Sequence, residues 1–231
     1  MSLIFSPGPT IEMTSQVDFE FFDHIYRSRK TLLRILADRG YDTKPYENFG
    51  SDEIEAMVIA GPQALRMDLE RPKPEDSTIT NCRVLYSLVK LKSKLAGFLE
   101  GLLEATGTEA ALNPETTEVI VLLAAPEGEP VVDMYHSAAY DQYTKNGLRI
   151  SFFRIANLVI HPSDHVLVPK HEKMREEDIP LPKSERYKLP FIRFHEDMQA
   201  RVLGLIPRDI VKITRPSPSS GTYTMYRICS P

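Results

Sequence analysis

Eight prolines stand at positions 162, 169, 180, 182, 190, 207, 216 and 218. Proline locks φ and has no amide proton to give to a helix or a sheet ladder. A long helix therefore has almost no room in the C-terminal third of this chain, which leaves short strands and turns. Two stretches fit strands. DIVKITR, 209–215, alternates apolar and polar residues as a half-buried strand does. TYTMYRIC, 222–229, is β-branched and aromatic, and the turn-rich PSPSSG between the two predicts a hairpin.

The first two thirds have a different texture. Over residues 18–39, apolar positions Phe22, Ile25, Tyr26, Leu32, Leu33 and Leu36 recur at helical spacing with one gap at Arg29. Asp18 is a candidate N-cap, and Gly40 suits the left-handed residue that ends a helix. Residues 41–49 read as a loop and 51–57 as a short helical turn. Strands are expected at 65–70 and 82–89, with a proline-interrupted loop at 71–77. Residues 90–107 have helical spacing, with Gly107 as the stop. VIVLLAA, 119–125, is a continuous apolar run, the pattern of a strand buried on both faces. The segment 148–160 fits helix or strand. The expected class is α+β: a lead-in over 1–17, a mixed N-terminal domain over 18–156 and a small β-rich assembly domain over 157–231.

Hydrophobic residues at 42% and charged residues at 26% can supply a packed core, which argues against wholesale disorder. The two cysteines, Cys82 and Cys229, are too few and too far apart for a disulfide scaffold, so a reducing compartment is expected. No apolar run approaches the roughly 20 residues that span a bilayer, and the first residues lack the basic start of a signal peptide. Residues 157–231 carry 12 basic and 9 acidic residues, a net +3, so the remainder carries −7 of the overall −4. Neither part has the basic stripe of an autonomous nucleic-acid binder.

Reactive constellations are sparse. His161, His165 and His171 are spaced HxxxH and HxxxxxH, but Pro162 and Pro169 break any helix that would align them on a metal, and structural histidines are the simpler reading. There is no GxSxG elbow, no GxxxxGK[ST] phosphate cradle and no GxGxxG. A metal-dependent nuclease would need acids and a lysine beside a core strand, and 119–125 contains neither. The expected metal, cofactor and catalytic sets are empty.

The ordered motifs of the C-terminal part carry a resemblance. Leu167 to His171 (LVPKH), Leu189-Pro190, LGL at 203–205, the strand Ile210 to Ile213, the Arg215/Ser217/Ser219/Gly221 turn and Tyr226 to Cys229 keep order and spacing. Over residues 157–230 the chain resembles the C-terminal domain of the fifth subunit of eukaryotic nuclear RNA polymerases, a domain that archaeal polymerases carry as a small separate subunit. A weaker likeness joins Phe21–Leu36 and Asp38-Arg39-Gly40-Tyr41 to the N-terminal part of the eukaryotic subunit, pointing to a eukaryotic type or a large-DNA-virus copy. The sequence departs in a shortened, proline-interrupted segment after LVPKH, in Asp197-Met198 where Asp-Pro is usual, in Ile206-Pro207-Arg208 where a basic-Gly turn is usual, and in Ser219 where Thr is usual.

The resemblance implies a non-catalytic subunit of a DNA-directed RNA polymerase, nuclear, or in a viral factory if viral. Its C-terminal domain would dock on the largest subunit, and its N-terminal part would be a jaw beside downstream duplex DNA. The implied assembly interface comprises Pro169, Lys170, His171, Pro190, Lys212, Arg215, Ser217, Gly221, Tyr223, Tyr226 and Arg227. Arg215 and Arg227, on adjacent strands, can offer forked donors, and tyrosines suit interface cores. The family's DNA-proximal loop falls on His136, Ser137 and Ala138, with Lys145 beyond. Partners are other polymerase subunits, with neither a membrane nor a second copy of this chain. The rivals are a free-standing adaptor that reuses the assembly fold, and a nuclease built on the N-terminal part.

Overall fold

The computed structural model describes residues 15–72, 78–104, 112–125, 129–219 and 221–230. It contains two four-stranded sheets with helices packed on and between them, an α+β fold.

The first helix, α1, runs Ser15–Asp38. It begins three residues before Asp18, which is therefore interior rather than the N-cap, and residues 15–17 of the expected lead-in are helical. Its buried stripe holds Ile25, Leu32, Leu33, Ile35 and Leu36. The gap at Arg29 is also buried: its guanidinium donates to Leu65 O at 2.8 Å and lies over the rings of Tyr46 and Phe49. Gly40, at φ 84°, turns the chain out of the helix. The expected loop after it contains a one-turn helix, α2 (Lys44–Glu47), and the expected turn at 51–57 extends into α3 (Ser51–Ala60).

The first sheet is built in the order β1 (Met67–Glu70), β2 (Asn81–Ser87), β3 (Thr117–Leu123), β4 (Arg149–Arg154). β1 is antiparallel to β2, and β2, β3 and β4 are mutually parallel. Parallel neighbours need crossovers. These are α4 (Leu95–Leu103), entered through a 3-10 turn at Lys92–Lys94, and α5 (Glu129–Asn146). Gly107, the expected stop of the first crossover helix, lies outside the described residues. All seven residues of β3 are buried. Ile120 and Leu122 pack towards α1 and α3; Val119, Val121 and Leu123 pack towards α4 and α5. The strand begins two residues earlier than the apolar run predicts, so it includes an acid, Glu118. The ambiguous segment 148–160 resolves into β4 followed by a 3-10 turn, Ile155–Leu158.

The second sheet follows the order β5 (Lys170–Lys173), β7 (Ile210–Ser217), β8 (Gly221–Ser230), β6 (Phe191–Arg193). In keeping with the proline pattern, one short α-helix interrupts it among the described residues, α6 (Met198–Leu203). The expected hairpin is present with register Ile213↔Met225 and Ser217↔Gly221, closed by Gly221 at φ 72°. Ile192, Val211, Ile213 and Cys229 on one face pack with Ala200 and Leu205. The segment between LVPKH and LP forms two 3-10 turns, Glu176–Asp178 and Lys183–Lys188, rather than a full helix.

Candidate assembly interface

HVLVPKH serves as the lead into β5. Pro169 precedes the strand directly, and His171 Nδ1 lies 2.7 Å from Pro169 O, bracing the bend. His165 Nδ1 accepts from Leu167 N, and His161 Nδ1 from Ser163 N. Each imidazole is thus engaged within its own turn. Val166 and Leu167 stand out, 92% and 82% exposed. Lys170 pairs with Glu172 at 2.6 Å.

Alternation along the strands sorts the expected interface residues onto two faces. His171, Arg215, Tyr223 and Arg227 share the face of Val211, Ile213 and Cys229, whose centre is filled by the core. Arg215 and Tyr223 escape burial because they pair near the hairpin tip, where Tyr223 is 56% exposed. Arg227 lies two residue pairs inward from Arg215 on the same face, beyond Ile213↔Met225, and donates to Phe191 O at 2.9 Å. Its guanidinium ties β8 to β6, so the two arginines do not form one fork. Ser217 Oγ lies 3.3 Å from Ser219 Oγ across the turn, and Pro190 O accepts from Ile228 N. Lys170, Lys212 and Tyr226 lie on the opposite face, together with Thr214, Thr224 and Phe191. Phe191 is 62% exposed, and Tyr226 and Ile228 are half-buried. This face combines aromatic surface with two lysines, and only Ile210 at its base is buried.

The residues expected near DNA sit on α5 rather than in a loop. His136 is half-buried and lines a cavity, Ser137 is exposed, Ala138 packs on the second core cluster and Lys145 pairs with Asp141 at 3.7 Å. They present no common basic surface.

Sequence reasoning missed the polar cluster joining the two sheets. Arg39, from the DRGY stretch, donates to Glu118 Oε1 at 2.9 Å, to Val202 O at 3.0 Å and to Arg201 O. Tyr41 Oη donates to the same carboxylate at 2.7 Å, and Arg149 lies 3.7 Å from its other oxygen while donating to Gly204 O at 2.7 Å. Burial alone would push the Glu118 carboxyl up; Arg39, Arg149 and the Tyr41 hydroxyl outweigh it and hold it at about 2. A cleft of about 850 Å³ opens beside this cluster, bordered by Arg34, Arg71, His171, Lys173 and Arg175. The one signal available was Asp-Arg-Gly-Tyr closing a helix: an arginine beside the C′ glycine is placed to reach across to the next layer.

Residues 160–229, which hold β5, β6, α6, β7 and most of β8, match the family model described as RNA polymerase Rpb5, C-terminal domain. The archaeal DNA-directed RNA polymerase subunit Rpo5 of Metallosphaera sedula is 42% identical over 78 residues, 32% of this chain and 93% of that protein. The chain belongs to the Rpb5 C-terminal domain family. Rpo5 of Sulfolobus acidocaldarius is 46% identical over 69 residues, 28% of this chain and 81% of its own length. The Dictyostelium discoideum DNA-directed RNA polymerases I, II, and III subunit rpabc1 is 39% identical over 82 residues, 33% of this chain and 41% of that protein. The chain therefore spans less than half the length of this relative, and the family match falls on the proline-rich third.

Proposed function

We propose that this chain is a non-catalytic subunit of a multisubunit DNA-directed RNA polymerase, active in the nucleus or, if its source is viral, in a viral factory. The carrying observation is that the family match falls on one folded sheet, β5–β8, one face of which is packed while the other offers Phe191, Tyr226, Lys170 and Lys212 to solvent. Aromatic residues ringed by polar and charged ones are the composition of an interface core and its rim. In this reading residues 157–231 are the assembly domain and dock on the largest subunit. Residues 18–156 form the jaw beside downstream duplex DNA, gripping it by shape and backbone contacts. The relatives are named as polymerase subunits, which favours this over a free-standing adaptor. Nucleotidyl transfer would belong to the largest subunits.

Affinity purification of the tagged chain from its native cells tests the reading. The two largest polymerase subunits should be recovered, and Lys212→Glu/Tyr226→Ala on the open face should reduce that recovery at least about tenfold. Arg215→Glu/Tyr223→Ala at the hairpin tip reports separately on the other face. Recovery of unrelated proteins without polymerase subunits would favour the adaptor.

A further inference from the structure

Arg208 is the one residue other than glycine that holds a positive φ among the described residues, at 82°. It sits in a tight turn, Ile206 to Asp209, where the chain enters β7 at the end of the second sheet away from the hairpin tip. Asp209 N donates to Ile206 O at 3.0 Å, closing four residues with proline second and the positive φ third. That is the pattern of a type II turn, whose third position suits glycine because a Cβ there crowds the backbone. An arginine occupies it instead, at a point where the sequence departs from its family's usual basic-Gly turn.

The surroundings hold the turn in this shape. Pro207 fixes its own φ. Arg208 N donates to Cys229 O at 2.8 Å and Asp209 O accepts from Cys229 N at 2.7 Å, which ties the strained peptide to β8. Asp209 Oδ2 accepts from Ile206 N at 2.7 Å and pairs with Lys173 of β5 at 2.8 Å. These bonds use backbone groups and the Asp209 carboxylate. None uses the guanidinium of Arg208, an exposed residue, so a glycine would keep them all. Backbone strain that the surrounding fold enforces gathers at functional positions.

An exposed guanidinium on a pinned turn is a fork ready for one planar carboxylate. The neighbouring cations are already matched, Lys173 with Asp209 and Arg193 with Glu196 at 2.7 Å. A nucleic-acid backbone is gripped by several cations in series, and the described residues at this end of the sheet present no such row. We propose that Arg208 is a recognition residue that receives an aspartate or glutamate carboxylate from a partner protein, and that the turn carries its strain for this contact. For the identity of the partner, another subunit of the same enzyme, the inference rests on the polymerase reading.

Two measurements test it. Urea unfolding of the full chain reads the strain. Arg208→Gly should raise the folding equilibrium constant about two- to tenfold, the left-handed penalty less glycine's added freedom in the unfolded chain. Arg208→Gln keeps the Cβ and should leave that constant unchanged. Affinity purification of the tagged full chain from its native cells, after nuclease digestion, reads the contact. Recovery of polymerase subunits should fall at least about fivefold with both Arg208→Gly and Arg208→Gln, and Arg208→Lys should lie between them and the parent. A chain that is more stable yet recovers less partner is a result that a purely structural residue would not give. Undiminished recovery with both variants overturns the proposal and leaves the polymerase reading standing. Absence of polymerase subunits even with the parent overturns both. Recovery by the parent that nuclease digestion abolishes assigns the contact to nucleic-acid phosphate and overturns the carboxylate partner. An Arg208→Gly chain no more stable than the parent removes the strain on which the proposal stands.

Discussion

Glu118 is an acid in a strand whose seven residues are all buried, a position tolerable only because Arg39, Arg149 and Tyr41 surround it. Burying each of these charges costs several kcal/mol, and mutual pairing offsets that cost only while every partner is present. Glu118→Gln keeps the shape and removes the charge, leaving two buried guanidiniums facing an amide. A loss of about 3 kcal/mol in urea unfolding at pH 7 is expected. Tyr41→Phe removes one bond to a charged acceptor and should cost less, about 2 kcal/mol. The pH dependence has a definite sign. The folded carboxyl ionises near 2 against an ordinary 4.5, so its contribution is complete above the ordinary value and is lost as pH falls towards 2. The size is on the order of 3 kcal/mol. Stability of the parent should fall through this acid window, and Glu118→Gln should lack that component. A variant that keeps the full acid slope would remove Glu118 as its source.

At the scale of elements, what the sequence made legible depended on whether one local rule dominated. The stripe of α1, the doubly buried β3 and the β7–β8 hairpin each follow from periodicity or turn chemistry that nothing else opposes. α5 escaped notice because its apolar residues, such as Tyr135 and Ala139, are spread among polar ones and its polar face is as long as its buried one. The sequence did not sort the expected interface residues onto faces, because strand pairing decides that Arg227 reaches Phe191 O while Arg215 stays exposed near the hairpin tip. Glu118 was invisible because its burial depends on Arg39 and Arg149, both far from it along the chain. Helix ends carry a sharper test. α6 ends on Gly204 at φ 63°, where an added Cβ would lie 2.8 Å from Arg39 Cζ. Gly147, at φ 69°, follows α5 with open space around it. A left-handed alanine alone costs about 1–2 kcal/mol. Gly147→Ala should show that cost and no more, whereas Gly204→Ala must also displace a guanidinium held by three acceptors and should lose about 3 kcal/mol or more. Equal losses in parallel urea titrations would mean that the arginine yields freely.

Across the whole molecule, the two sheets meet through polar groups of unequal worth. Arg34 pairs with Asp164 at the surface, both about half-exposed, and such pairs contribute at most about 1 kcal/mol. Arg39 crosses the same seam with its side chain 6% exposed, joining Glu118 on β3 to the carbonyls of Arg201 and Val202 on α6. Arg149 repeats the link through Gly204 O. Apolar packing adds Val202 to the first core and Tyr143, from α5, to the third. The buried arginines should therefore make the sheets unfold together. Hydrogen exchange followed by mass spectrometry reads this directly, with peptides over β3 and β7 showing similar opening free energies in the parent protein. Asp164→Ala should change stability by less than about 1 kcal/mol and leave the two regions coupled. Arg39→Met leaves Glu118 with Arg149 as its one ion-pair partner among the described residues and cuts both carbonyl links, so it should cost about 3–5 kcal/mol and let β7 exchange well before β3. If β7 and β3 still opened together in Arg39→Met, cohesion between the sheets would rest on Val202 and Tyr143, and the DRGY arginine would hold only its own helix end.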